Sequence, residues 1–112
     1  MEKITHAEYI VSLRHEAGEI AAAVTAGRMS VLDGCLALGP LLAQAELDSG
    51  DSDAQTIALV CSELDGLPLG EARARWAPEA LERLAPELES AAKWAVSLAM
   101  PAIQSVALRF GA

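Results

Sequence analysis

The stretch "THAEYIVSLRHEAGEIAAAVTAG", residues 5–27, reads as a complete helix with both ends marked. Thr5 and Glu8 have capping-box spacing, so each side chain can satisfy a backbone N–H that the first turn leaves free, and Ile4 with Tyr9 has the spacing of a hydrophobic staple. Ile10, Leu13, Ala17, Ile20 and Val24 then recur at alternating steps of three and four, which puts them on one face. Gly27 stands where a left-handed residue would end the helix. Arg14, Glu16 and Glu19 fall on the wetter side. A helix with a single apolar stripe has to bury it against other elements, and the rest of the chain supplies them.

Ser30 opens a second helix, with Asp33 in its first turn. Val31, Leu32, Cys35, Leu36, Leu38, Leu41 and Leu42 make it apolar almost all round, which predicts a central place in a bundle. Gly39-Pro40 predicts a kink, since Pro40 lacks an N–H and crowds the turn before it. "ELDSGDSD", residues 46–53, reads as a solvated connection. Ser52 with Gln55 predicts a capping box for a third helix, Asp53 complements its dipole, and Ile57, Val60, Cys61 and Leu64 form its apolar face. Gly66 predicts its end, with Leu67 folding back on Cys61.

Beyond "LPLG", residues 67–70, the spacing predicts one short helix through Trp76 and another opening at Ala77-Pro78. Ala85-Pro86 repeats that start signal, because Pro suits a first helical position and holds its predecessor extended. The last helix is expected from Pro86 to about Phe110, with Leu88, Ala91, Ala95, Leu98, Ala102, Val106 and Phe110 inward and a bend near Pro101. Trp94, among alanines, is expected in the core. No segment alternates with period two. The expectation is an all-α, compact helical bundle of four main helices with short helices around residues 70–84, forming a single helical domain over residues 1–112.

Composition agrees with that plan. The chain has 112 residues, 53% of them hydrophobic and only 4% aromatic, so Ala, Leu, Val and Ile must build the core. The N-terminus has no apolar signal-type region, and the longest uncharged run, Trp94–Leu108, is short of the roughly 20 residues of a membrane span. A cytoplasmic protein that does not enter a membrane is expected. Cys35 and Cys61 lie on apolar faces without a metal or redox spacing, and read as buried free thiols.

The formal net charge is −8. Between Met29 and Ala72 stand Asp33, Glu46, Asp48, Asp51, Asp53, Glu63, Asp65 and Glu71, with no Lys or Arg among them. The acids and bases outside that interval cancel, so the excess belongs to the middle of the chain. Direct binding of nucleic acid needs a basic footprint and is not expected. A basic protein partner is, with Asp48, Asp51, Asp53, Glu63, Asp65 and Glu71 as the candidate contact residues.

Catalytic chemistry finds no motif. His6 and His15 lack His-Glu-x-x-His spacing, and His15 with Glu19 is an ordinary i, i+4 pair. There is no Gly-rich phosphate loop or nucleophile elbow. A calcium loop beginning at Asp51 would need Gly at its sixth position and Glu at its twelfth, where Thr56 and Ser62 stand. Glu79 with Glu82, and Glu87 with Glu89, are carboxylate pairs of the kind helix surfaces carry. No catalytic, cofactor-binding or metal-ligating residue is therefore assigned.

"SELDGLPLGEARARW", residues 62–76, departs from the rest of the chain in carrying Pro, Gly, Arg and Trp at close spacing. Read physically, it is a structural corner: a cap, a Pro-fixed turn, an ion pair from Arg73 or Arg75 to nearby acids, and Trp76 as an apolar plug. It also resembles the SE-x-D-x-LP-x-G-x-x-R-x-x-W segment of a family of small helical bacterial proteins of largely uncharacterised function. Ser62, Glu63, Asp65, Leu67, Pro68, Gly70, Arg73 and Trp76 match it. "SVLDGC" with Gly34 resembles that family's run near the second helix, while Cys61 and Leu64 depart from an acid and a Thr. Small acidic helical proteins of this kind are similar to immunity proteins, including those of contact-dependent inhibition systems. The resemblance implies a protein that binds and neutralises a basic, nuclease-type toxin domain. It implies no catalytic residues. A structural or regulatory adaptor, homodimeric through its second or last helix, is the alternative from the residues; an enzyme or small-molecule receptor with a pocket in the bundle is a third.

Overall fold

The computed structural model of the chain describes residues 5–65 and 74–111. Four helices run in order: α1 His6–Thr25, α2 Val31–Gln44, α3 Ser52–Leu64 and α4 Pro78–Phe110. No strand occurs among the described residues. The all-α bundle is therefore as the sequence predicts. The outcomes expected at Ile4, Gly66, Leu67, Pro68, Gly70, Glu71 and Arg73 lie outside the described residues.

The ends of α1 follow the local chemistry. Thr5 Oγ1 accepts from Glu8 N at 3.1 Å. At the other end Gly27 has φ +78°, its N–H bonds the Val24 carbonyl at 3.0 Å, and Arg28 N–H reaches back to the Ala23 carbonyl at 2.9 Å. Those two bonds satisfy carbonyls that a helix end would leave bare, and only Gly takes the required φ without strain. Ser30 caps α2 by accepting from Asp33 N at 3.1 Å.

The core consists of aliphatic and small side chains. Ala17, Ala21 and Val24 of α1 meet Cys35, Leu38 and Leu42 of α2, Ile57, Val60 and Leu64 of α3, and Ala95, Ala99, Ala102, Ile103 and Val106 of α4. Burying each large member contributes about 1.5–3 kcal/mol. A smaller cluster of Ile10, Leu13 and Ala45, backed by Leu41 and Leu47, seals the end where α1 begins and α2 ends. α2 touches α1, α3 and α4, and α4 likewise meets all three others; α2 is not enclosed as its apolar sequence predicts, since Leu36, Pro40 and Ala43 remain exposed on its outer side. α1 and α3 stand on opposite sides.

Several expectations are corrected. Pro86 does not begin a helix: α4 is continuous from Pro78, and residues 78–84 are its first two turns. Pro86 and Glu82 are both exposed, so water can take the carbonyl that the missing N–H abandons. Ahead of it, among the described residues, Ala74 and Arg75 have 3₁₀ geometry; the earlier part of the short helix expected through Trp76 lies outside the described residues. Trp76 and Trp94 are exposed rather than core residues; for Trp94 the reason is that the inward face of α4 is already filled by Ala95, Ala99 and Ile103. Cys35 is buried but Cys61 only half-buried, and both thiols are free. Burial, then the neighbouring Cys61, pushes the Cys35 thiol up to about 11. At 33 residues α4 spans about 50 Å. It is long and apolar enough to cross a membrane by length and composition, while its inward face packs in the bundle.

A core of small residues closes only if backbones come near one another. A methyl on Gly18 would collide with the backbone of Phe110, one on Gly34 with the Val24 side chain, and one on Gly39 would sit 2.8 Å from Cys61 Sγ. A thiol can rotate aside, whereas a helix terminus has to move bodily. Gly18→Ala is therefore expected to lower stability by about 1–3 kcal/mol and Gly39→Ala by less. Thermal or urea unfolding of the two variants checks the order, and an unshifted midpoint for Gly18→Ala would contradict the α1–α4 packing.

Candidate partner-binding surface

The acids between Met29 and Ala72 do not form one patch. α3 separates them, with Asp51 and Asp53 at its start and Glu63 and Asp65 at its end, about 18 Å apart along the axis. The two groups also differ in what holds them.

At the start of α3 the N-cap is Asp51, one residue before the predicted Ser52. Its Oδ1 accepts from Ala54 N at 3.0 Å, while Gln55 turns its amide to the Ser49 carbonyl at 2.9 Å instead of closing a box with Ser52. A carboxylate takes this position because it can serve a second donor that a hydroxyl would attract less. That donor is Arg109, in the last turn of α4. Its guanidinium reaches Asp51 Oδ2 at 2.7 Å and Oδ1 at 3.2 Å, and Asp53 Oδ2 at 2.8 Å. Ser105 Oγ, one turn earlier on α4, donates to the same Asp53 oxygen at 2.6 Å. Phe110 covers the fork, its ring centroid 4.8 Å from the Arg109 guanidinium carbon.

The Asp51 and Asp53 side chains are only 11% and 14% exposed, against 36% for Arg109. The reading of residues 46–53 as solvated holds at Asp48, which is exposed, and fails at Asp51 and Asp53. Hydrogen bonds from Arg109 lead the causes that hold the Asp51 carboxyl below its ordinary range, and burial opposes them. The same carboxylates push the Arg109 guanidinium up.

Glu46, at the other side of the loop, has φ 53° and receives His6 Nε2 at 2.9 Å. Arg14 donates to the Ala45 and Glu46 carbonyls at 3.1 and 3.2 Å and so caps the end of α2. Asp33, Asp48, Glu63 and Asp65 are exposed. Asp65 is the C-cap of α3, and Glu71 lies outside the described residues.

Arg109, Ser105 and the capping role of Arg14 were not apparent from the sequence. The available signal was that Arg109 is the lone base after Lys93, closing an otherwise uncharged run. For small-molecule chemistry the surface offers a cleft of about 490 Å³ lined by His15, Glu19 and Arg28, among others. His15 Nε2 lies 2.8 Å from Glu19 Oε1, with both groups exposed. Among the described residues no polar side chain is buried, and no three potential metal ligands cluster.

Comparison with protein-family models, curated proteins and solved structures finds no match to this chain.

Arg109→Ala should leave two poorly hydrated carboxylates without their counter-charge and cost about 1–3 kcal/mol, between the values for exposed and buried pairs. Arg109→Lys should recover part of this, since an ammonium cannot bridge both acids as the planar fork does. Chemical unfolding of the three proteins at neutral pH measures the order.

The lowered Asp51 carboxyl also sets a pH dependence. Unfolding returns it to about 3.9, so its contribution is complete above that value and disappears as pH falls through the lower folded value. Between neutral pH and pH 2, Asp51→Asn should therefore lose less stability than the wild type. Parallel acid titrations followed by helix content would show otherwise if the two curves fall together.

Proposed function

We propose that this chain is an immunity protein, which binds a basic toxin domain of nuclease type and neutralises it by occupation rather than by catalysis. The observation that carries the reading is the interval from Met29 to Ala72, with eight acids and no base. Asp33, Asp48, Glu63 and Asp65 of that interval are exposed. A nuclease must attract phosphates and so presents positive potential; an acidic surface steers encounter with it and competes for the same groups. An interface of about 800 Å² per partner fits a domain of this size. A nuclease acting on cellular nucleic acid would place the encounter in the cytoplasm.

Asp51 and Asp53 are engaged by Arg109, so their expected share in the contact passes mainly to Asp48, Glu63 and Asp65. The test is co-expression with a basic nuclease toxin domain, sought first among the neighbouring genes, together with stopped-flow association at several salt concentrations. Asp48→Asn with Glu63→Gln and Asp65→Asn should melt like the wild type, associate about tenfold more slowly at low salt, and lose much of the salt dependence. Unchanged association and full growth protection would make the acidic surface a solubility feature and remove the reading's physical support.

A second reading, self-association, is favoured by the outer face of α4. Trp94, Val96, Ser97, Pro101, Gln104 and Leu108 are exposed along a run without charge, Leu108 at 86%. A mass that rises with concentration, and returns to that of one chain in Leu108→Lys, would favour the homodimeric adaptor.

A further inference from the structure

α2 and α3 leave an open groove of about 560 Å³ between them on the outside of the bundle. Gly39, Pro40 and Ala43 line one side, Ala58, Cys61 and Ser62 the other, with Leu36 and Asp65 at one end. Cys61 Sγ donates to the Cys35 carbonyl at 3.0 Å and lies against Gly39. Those contacts and the short connection through residues 45–51 make the helices antiparallel. Leu36 therefore faces Asp65, and Ala43 faces Ala58. Asp33 precedes Leu36 by three residues, on the same helix face. The groove is thus acidic at one end, and apolar and shallow along its length.

We propose that this groove is the docking site for one amphipathic helix of a basic partner, about three turns long, with Lys or Arg at the end lying over Asp33 and Asp65. The small side chains of its floor let a third helix approach to ordinary interaxial distance. Exposed Leu36 offers an apolar contact at the acidic end. Charge selects the occupant. Both walls come from the base-free interval, so a cationic segment is attracted while an anionic lipid surface is repelled. The proposal deepens the toxin-binding reading and rests on it for the identity of the partner; the groove's preference can be measured without that partner.

The probe is a synthetic helix-forming peptide of about three turns, with a Leu/Ala face and two Arg at one end, titrated into the isotopically labelled full chain. Amide shifts should concentrate at Leu36, Ala43, Ala58 and Ser62. A peptide with Glu in place of Arg should bind about tenfold more weakly. Ala58→Arg, an exposed helix-compatible change, should retain the wild-type melting temperature and weaken the Arg peptide by about tenfold or more. Asp33→Asn with Asp65→Asn should bring the two peptides close to equal affinity.

Absence of shifts, shifts confined to the outer face of α4, or unchanged binding by Ala58→Arg would overturn the proposal. So would the same shifts produced by raising the chain's own concentration, or by anionic phospholipid vesicles, which would give the groove to a second copy or to lipid. No toxin enters this experiment. Failure of growth protection would sink the proposed function and leave the groove standing, whereas a silent titration sinks the groove whatever protection shows.

Discussion

Close approach of α4 to α1 at Gly18 is the constraint from which the other placements follow. Among the described residues no aromatic side chain is fully buried, and Phe110 packs only against the edge of the core, so Ala, Val, Leu and Ile have to meet across short distances. Gly18 lets the backbone at Phe110 settle directly on α1. With that terminus fixed, Arg109, one residue earlier, is held beside the start of α3. Its two acid partners then set where α3 begins. Gly39 and Cys61 bring α3 against α2, and the groove on the outside of that pair is the consequence. A methyl at the first contact would be felt along the whole series.

Electrostatics divides the acidic middle of the chain into two populations. A chain with eight excess negative charges repels itself when compact. One guanidinium meets two of the acids where they are least hydrated, and the N-terminus of α3 adds its own partial positive charge. The arrangement lowers the cost of burying Asp51 and Asp53 and uses them to close the bundle. Exposed acids at the opposite end of α3 contribute little to the fold. They remain in water, where their charge is not neutralised by the fold.

What the sequence made legible was whatever is determined locally. Thr5, Ser30 and Gly27 mark helix ends because each satisfies backbone groups within a few residues, and the α1 stripe follows from helical period alone. What it concealed was settled by distant groups. Ser52 and Asp51 are both acceptable caps on local grounds, and Arg109, 58 residues away, decides between them. Pro86 is a sound start signal, but a proline at a wet surface can also lie within a long helix. Trp94 looked like core because its neighbours are alanines; those alanines fill the interior themselves, and the indole is left outside. The groove needs two helices in register, which no local pattern encodes, although the absence of bases along both of its walls was plain.

The length of α3 keeps the two populations electrically independent. Its two ends are about 18 Å apart, more than twice the Debye length of about 8 Å at physiological salt. A cation docked near Glu63 and Asp65 therefore exerts little field on the Asp51–Arg109–Asp53 cluster. A partner can take one end of the helix without loosening the ion pair that anchors the other. Had the acids formed one continuous patch around Arg109, any cation drawn to them would have competed with the protein's own arginine, and binding would have strained the fold. Separation along one rigid helix lets the same residue type stabilise the structure at one end and present charge at the other.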